Sequence, residues 1–254
     1  MPVPGAAGDI VAIGGGGFLM EPENPLLDDF VLSLARRQPA RVCFLPTASA
    51  DSANAIVRFY RAFSKRSVAT DLTPFDSPLL PRRPARSTDL AGFVAGQDVI
   101  YVGGGNTANM LALWRVHGLD RILHDAWANG IVLAGVSAGM LCWFKGGVTD
   151  SFGGYETLDD GLALIDALGC PHWDGEPARQ DVFRRRVAAA GITGYAADDG
   201  VALHFSGAEL VRAVSSRPLA SAYVLKPTGG GVDERPLPTK SLGSAVDDVA
   251  SKQV

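Results

Sequence analysis

The sequence predicts an α/β fold, a doubly wound and mainly parallel sheet with helices on both faces. Short runs that are apolar on both sides alternate with stretches of helical spacing, a pattern typical of strands buried in a parallel sheet. The 254 residues are 47% hydrophobic and 20% charged, as expected for one large globular domain. We expect an α/β domain over residues 1–226 and a flexible C-terminal tail over 227–254, where glycine, proline and polar residues dominate.

The first half of the chain predicts strands that mostly alternate with helices. Its expected elements are a strand at 9–13, a helix at 28–37, a strand at 41–46, a helix at 54–65, a strand at 68–72, a proline- and arginine-rich loop at 77–88 and a strand at 98–102. Further on we expect helices at 107–117 and 120–129, a strand at 131–134, a helix at 138–143 and edge strands at 197–205, 209–213 and 221–226. Because most strands are joined through helices, their carboxyl ends should gather at one edge of the sheet.

Composition excludes several classes of function. A formal net charge of −4 argues against the broad basic surface that nucleic-acid binding requires. The three cysteines, Cys43, Cys142 and Cys170, lack metal-type spacing and suit a reducing compartment. The N-terminus has neither a basic region nor a long apolar region. We therefore expect a cytoplasmic protein without metal, cofactor, nucleic-acid partner or membrane partner.

A serine turn follows the apolar run at 131–134. Gly135, Ser137 and Gly139 match G-x-S-x-G, in which the serine has a strained backbone between a strand and a helix. Small residues two positions away allow close approach, and the following helix N-terminus favours an oxyanion. The same pattern also occurs as a plain strand–helix turn, so the hydroxyl needs a base before it becomes a candidate nucleophile.

His172 is the histidine whose surroundings best suit a catalytic base. It lies among turn-forming residues at 169–175, whereas the contexts of the other three histidines are helical or strand-like. A carboxylate should orient its imidazole. Asp150, at the expected end of an element, is the first candidate, and Glu156 is the second. The order serine, acid, histidine is that of α/β-hydrolases, although triads occur in several orders.

A second glycine cluster, Gly103–Gly105, follows the strand at 98–102. Three consecutive glycines expose backbone N–H groups that can bind an anion. The cluster lacks G-x-G-x-x-G spacing and a P-loop lysine, which disfavours a phosphate site. We expect it to face the serine turn, with the N–H of Gly104 or Gly105 as an oxyanion donor beside that of Ala138. The glycines at 14–17 have the same spacing to a strand but are interpreted as a turn only.

These motifs together resemble the peptidase E family, cytoplasmic α-aspartyl dipeptidases related to cyanophycinases. The resemblance is carried by a strand followed by GGGNT at 103–107, G-x-SAG at 135–139, Asp150, Pro171-His172, and Gly175-Glu176 with Arg179. It extends from the first strand to about residue 226. It implies a sheet like that of class I glutamine amidotransferases, with serine in place of cysteine at the elbow, and a homodimer.

The resemblance also implies an activity, the hydrolysis of Asp-X dipeptides without a metal. Ser137 would be the nucleophile, His172 the base and Asp150 the third member of the triad. Arg179 would bind the β-carboxylate of the substrate, since arginine suits a bidentate grip on carboxylates, and Asn106 is a second candidate for substrate binding. Two alternatives stay open: a cyanophycinase-like or other acidic-peptide hydrolase, and a non-catalytic module that binds an anion or a nucleotide.

Overall fold

A computed structural model describes residues 7–73, 89–175 and 177–243. The loop expected at 77–88 and the end of the expected tail at 244–254 lie outside these residues. The helices are α1 (Gly17–Met20), α2 (Leu26–Ser33), α3 (Ala53–Phe63), α4 (Leu90–Ala95), α5 (Thr107–His117), α6 (Leu119–Ala128), α7 (Ala138–Leu141) and α8 (Pro177–Ala190), with a 3₁₀ turn at Thr47–Ser49. None of the helices in these ranges has the length and apolar character of a membrane span.

Fourteen strands within the described ranges form two sheets. They are β1 (Asp9–Ile13), β2 (Arg41–Leu45), β3 (Val68–Asp71), β4 (Val99–Val102), β5 (Val132–Val136), β6 (Phe144–Thr149), β7 (Glu156–Leu158), β8 (Ile165–Cys170), β9 (Gly194–Ala197), β10 (Val201–Ser206), β11 (Glu209–Ser215), β12 (Ala222–Thr228), β13 (Gly231–Leu237) and β14 (Thr239–Ser241). The first sheet has the order β14-β11-β10-β1-β5-β4-β2-β3, and the second has the order β13-β12-β9-β8-β6-β7.

The first sheet has a parallel centre, as the sequence predicts. Strands β1, β5, β4, β2 and β3 pair in parallel, and β10 and β11 continue the sheet in antiparallel fashion. Alternate side chains of β4 enter different cores: Ile100 packs with α5 and α6, and Tyr101 packs with α1 to α3. The mixed α/β architecture with helices on both faces is confirmed.

The second sheet is a feature that the sequence pattern did not predict. Parallel strands β6, β8 and β9 form its centre, flanked by antiparallel β7 and β12. One face shares the core of the first sheet through Phe144 and Ile165, and the other packs under α8 through Phe183 and Val187. The chain crosses from one sheet to the other between β5 and β6, immediately after the serine turn.

The expectation of a flexible tail from residue 227 is wrong as far as residue 241. Strand β12 extends to Thr228, and β13 pairs with it along its full length, from Thr228 opposite Gly231 to Ala222 opposite Leu237. Strand β14 then joins the edge of the first sheet beside β11. The polar, glycine-rich composition reflects an exposed hairpin, because a two-stranded edge needs few buried side chains.

Candidate active site

Ser137 lies on a strained turn between β5 and α7. Its backbone has φ 58° and ψ −110°, an unfavourable region for a residue other than glycine. The turn is also crowded, since a Cβ on Gly135 would collide with the Gly139 carbonyl, and one on Gly139 would collide with the Val102 carbonyl. The N–H of Ser137 donates to the Ile13 carbonyl at 3.0 Å, which fixes the turn to β1. The strand–serine–helix arrangement is therefore that of a nucleophile elbow.

His172 reaches Ser137 from the second sheet. It lies two residues beyond β8, and its backbone also has a positive φ, 54°. The distance from His172 Nε2 to Ser137 Oγ is 2.9 Å, within hydrogen-bond range. The structure therefore brings together the serine and the histidine that the sequence singles out.

The carboxylate that contacts His172 is Asp199, and not Asp150 or Glu156. Asp199 Oδ1 lies 2.6 Å from His172 Nδ1. Asp150 follows β6 and pairs with Arg179 instead, and Glu156 is exposed at the start of β7. The prediction of Asp150 as the partner of His172 is wrong, and the order of the three residues is serine, histidine, acid.

Strand order explains why Asp199 rather than Asp150 is the partner. In the second sheet β8 lies between β9 and β6, so His172 stands between the connection after β9 and the segment after β6. The connection after β9 crosses to β10 beside β1, the strand whose end supports Ser137. We expected a continuous strand at 197–205, but the chain turns at Asp198, Asp199 and Gly200 between β9 and β10. The sequence Asp-Asp-Gly is typical of a turn, and this pattern could have indicated that Asp199 lies in a turn rather than in a strand.

The hydrogen bonds define the protonation of the three groups. The pKa of Asp199 is lowered, mainly by the hydrogen bond from His172 and further by the positive charges of Arg217 and Arg179, so the carboxylate accepts. Nδ1 of His172 must then carry the proton, which leaves Nε2 as an acceptor for the Ser137 hydroxyl. In this tautomer the imidazole can remove the hydroxyl proton, and the Asp199 carboxylate stabilises the resulting imidazolium.

Backbone N–H groups that could hold an oxyanion surround the serine. The N–H of Gly103 donates to the Leu45 carbonyl and that of Asn106 donates to the Ala48 carbonyl. Within the described ranges, no hydrogen bond engages the N–H of Gly104 or Gly105. A Cβ on Gly104 would lie 3.7 Å from Ser137 Oγ, so Gly104 is in contact with the serine, whereas Gly105 packs against the Ala48 carbonyl. Of the two glycines expected as oxyanion donors, Gly104 is thus the one whose N–H is better placed beside Ser137.

Comparison with known proteins shows the family of this chain. The sequence model of peptidase family S51 matches residues 10–213. The chain belongs to peptidase family S51. It is 48% identical over 236 residues to "Uncharacterized peptidase YgaJ" of Bacillus subtilis (strain 168), covering 92% of this chain and 99% of that protein.

Two solved structures share the fold of this S51 peptidase at 17% sequence identity. A peptidase from an acI-B1 Actinobacterium superposes with a TM-score of 0.58, over 92% of this chain and 96% of the other. A putative peptidase E protein from Listeria monocytogenes EGD-e superposes with a TM-score of 0.56, over 81% of this chain and 98% of the other. The resemblance to peptidase E drawn from the sequence is confirmed.

Arg179 of the S51 peptidase is buried rather than solvated. Its residue is only 5% exposed, and the guanidinium lies over the Tyr155 ring at 4.5 Å. Nη2 is 3.4 Å from Asp150 Oδ2, a long ion pair whose carboxylate is 64% exposed. Nε is buried and lacks a hydrogen-bond partner in the described part of the chain. The guanidinium therefore retains capacity for a further carboxylate.

Asn106 has structural hydrogen bonds that the sequence analysis did not anticipate. Its Oδ1 accepts from the N–H of Asn109 at 2.9 Å and caps α5, as expected for asparagine at a helix start. Its Nδ2 donates to the Ser151 carbonyl at 3.0 Å. The amide thus ties the glycine turn to the segment after β6, and its predicted contact with substrate is not needed to explain the residue.

An apolar cavity of about 390 Å³ opens beside Ser137, on the face of the first sheet opposite α5. Its lining includes Leu19 and Met20 of α1, Phe44 of β2 and Ala55 of α3, together with Ser137 and His172. A larger cavity of about 440 Å³ lies at the amino ends of the strands, near Asp98, and is therefore remote from the serine. Of these two cavities, the one at the serine is placed to receive part of a substrate.

The glycines at 14–17 contribute to the site and are more than a turn. Gly15 forms an isolated parallel bridge with Asp199, and its carbonyl accepts from the N–H of Gly200 at 2.8 Å. A Cβ on Gly15 would collide with Asp199 Oδ1 and lie 2.9 Å from His172 Nδ1. Only glycine leaves room for the acid and the imidazole at this position. Sequence reasoning missed this role because Asp199 was not yet placed.

Proposed function

We propose that this S51 peptidase cleaves short peptides with an N-terminal aspartyl residue through an acyl-enzyme on Ser137, without a metal. The observation that carries the proposal is the continuous hydrogen-bonded series from Ser137 through His172 to Asp199, at 2.9 Å and 2.6 Å. Within the described ranges, no group of three or more histidine, cysteine, aspartate or glutamate side chains could hold a metal ion.

In this mechanism His172 Nε2 accepts the hydroxyl proton as Ser137 Oγ attacks the aspartyl carbonyl carbon. The N–H groups of Gly104 and Ala138 hold the oxyanion, and loss of one such donor costs roughly 3 kcal/mol in the barrier. His172 then donates the proton to the leaving amine. Water attacks the acyl-enzyme with His172 again as the base, which restores the free hydroxyl.

Arg179 is the proposed site for the β-carboxylate of the substrate. It is a buried cation with an unused Nε, and its present anion, Asp150, is largely exposed and held at 3.4 Å. A substrate carboxylate could displace Asp150 and bind in a bidentate manner. On the other flank of Ser137, the apolar cavity would receive the side chain of the second residue.

Labelling and turnover together test this function. A fluorophosphonate probe should modify wild-type protein and not Ser137→Ala, and wild-type protein should hydrolyse Asp-Leu faster than Asn-Leu. Replacement of Arg179 by glutamine should reduce kcat/KM for Asp-Leu about 10- to 150-fold and change that for Asn-Leu little, because a hydrogen-bonded charge is lost. Wild-type protein that resists labelling and cleaves no peptide would disprove the proposal.

The same panel separates the alternatives. Cleavage of polymeric or longer acidic peptides in preference to dipeptides would indicate the cyanophycinase-like specificity. Binding of a nucleotide by calorimetry without labelling of Ser137 would indicate a binding module. The three cysteines are buried thiols, which fits the proposed cytoplasmic location.

A further inference from the structure

Arg217 lies behind the acid of the triad, at the end of β11. Its Nη1 is 3.9 Å from Asp199 Oδ2, the oxygen that does not contact His172. Its Nε donates to Glu21 Oε1 at 2.9 Å. The guanidinium thus bridges two carboxylates. The backbone of Arg217 is also fixed, because its N–H donates to Ser215 Oγ and its carbonyl accepts from the Ser215 hydroxyl.

The stem of Arg217 is packed as well as its charged end. A Cβ on Gly200 would lie 2.5 Å from Arg217 Cγ, so the stem rests directly on the residue that follows Asp199. The side chain is 34% exposed and that of Glu21 is 21% exposed, so the pair is partly shielded from water. Partial shielding from water makes the electrostatic attraction of such an ion pair stronger than that of a pair on an open surface.

We propose that Arg217 is a positioning residue, which holds the second oxygen of Asp199 so that the first stays on His172 Nδ1, with Glu21 fixing the guanidinium. The inference rests on the proposed function only in assigning a catalytic purpose to the triad. Glu21 ends α1, whose Leu19 and Met20 line the cavity beside Ser137. The same ion pair therefore joins the cavity wall to the acid of the triad.

The other groups around Asp199 cannot replace Arg217. His172 holds Oδ1, and Arg179 pairs with Asp150 and, among the described residues, makes no ion pair within 4 Å of Asp199. Asp174 accepts the N–H of Asp199 at 2.9 Å, which fixes the backbone and leaves the side chain free to rotate. Asp198 is a neighbouring acid and repels the carboxylate. Arg217 is thus the one cation within 4 Å of Oδ2 in the described residues.

The test compares Arg217→Gln, Arg217→Lys and Glu21→Gln with the wild-type protein. The proton between His172 and Asp199, in a 2.6 Å hydrogen bond, should give a far-downfield NMR resonance. This resonance should broaden or vanish in R217Q, and the rate of fluorophosphonate labelling should fall about 10- to 100-fold, as expected for loss of an orienting partner. R217K should recover most of both signals, and E21Q should lose less than R217Q.

Arg37→Gln is the matched control, because Arg37 Nε pairs with the buried Asp98 at 2.8 Å, at the opposite end of the sheet. It should lower thermal stability while leaving the resonance and the labelling rate unchanged. An R217Q protein with wild-type resonance and labelling rate would overturn the proposal, and so would losses in R217Q that R37Q reproduces. Since the resonance requires no substrate, failure of the peptidase assay with a resonance that still depends on Arg217 would count against the proposed function alone.

Discussion

Exchange of Asp199 and of Asp150 for asparagine distinguishes the observed triad from the one that sequence reasoning expected. Asp199→Asn keeps the shape of the side chain but removes the charge that accepts from His172 Nδ1 at 2.6 Å. In Ser-His-Asp triads this change lowers kcat about 10⁴-fold, equivalent to about 5 kcal/mol in the barrier. We expect a loss of that size in D199N.

Asp150→Asn should have a much smaller effect. Asp150 is 64% exposed, and its ion pair with Arg179 is long, at 3.4 Å. An ion pair this long, with an exposed carboxylate, contributes about 1 kcal/mol or less even though Arg179 is buried, so kcat/KM should change by less than about tenfold. Both variants should retain the thermal melt of the wild-type protein to within a few degrees.

The assay is hydrolysis of Asp-Leu together with the second-order rate of fluorophosphonate labelling at neutral pH. Labelling measures the reactivity of Ser137 directly and does not depend on Arg179 or on the cavity. If D150N lost 10³-fold or more while D199N retained activity, the assignment of the acid from the hydrogen bonds would be refuted.

Three further predictions follow from other contacts. Gly15→Ala should fold but lose about 10²-fold in labelling rate, because its Cβ displaces Asp199, whereas Gly154→Ala, with nothing within 4 Å, should be unaffected; equal rates would contradict this. Burial raises the pKa of Asp28 to about 7, so the folded state retains a proton that the unfolded chain releases near pH 4. Asp28 alone should therefore lower the free energy of unfolding by roughly 4 kcal/mol between pH 4 and 7, and urea titrations of Asp28→Asn should show the loss of this contribution; an unchanged pH dependence in the variant would refute the assignment. Deletion of residues 227–254 should lower the melting temperature, since β13 and β14 complete two sheet edges, and an unchanged melt would show that these strands contribute no stability.

The first half of the fold could be predicted from the sequence because its signals are local. The apolar runs of β1, β2 and β4 and the helical spacing of α5 lie within a residue or two of their expected bounds. Asn106 and Gly118 mark the start and end of α5 as N-cap and left-handed C-cap residues. Ser137 and His172 were likewise recognisable, since both lie on turns with an evident chemical context.

The second sheet and the acid of the triad depend on long-range pairing, which a local pattern does not contain. Strands β7 and β9 have only three and four residues, and β9 pairs with β8 across α8 and with β12 across β10 and β11. Asp199 was assigned to the interior of a strand because Ala197 and Val201 continue an apolar run on either side of it. Choosing between Asp150 and Asp199 required knowledge of the order of β6, β8 and β9.

The three reacting side chains come from separate structural layers. Ser137 belongs to the larger sheet, His172 to the smaller one, and Asp199 to the connection from β9 to β10, one of the crossings between them. The reactivity of Ser137 consequently depends on the alignment of the two sheets. A shift of about an ångström between the sheets would separate Ser137 from His172 and abolish the reactivity of the hydroxyl, while the hydrogen bonds between strands remained intact. Heat or denaturant should accordingly inactivate the protein before circular dichroism registers any loss of secondary structure.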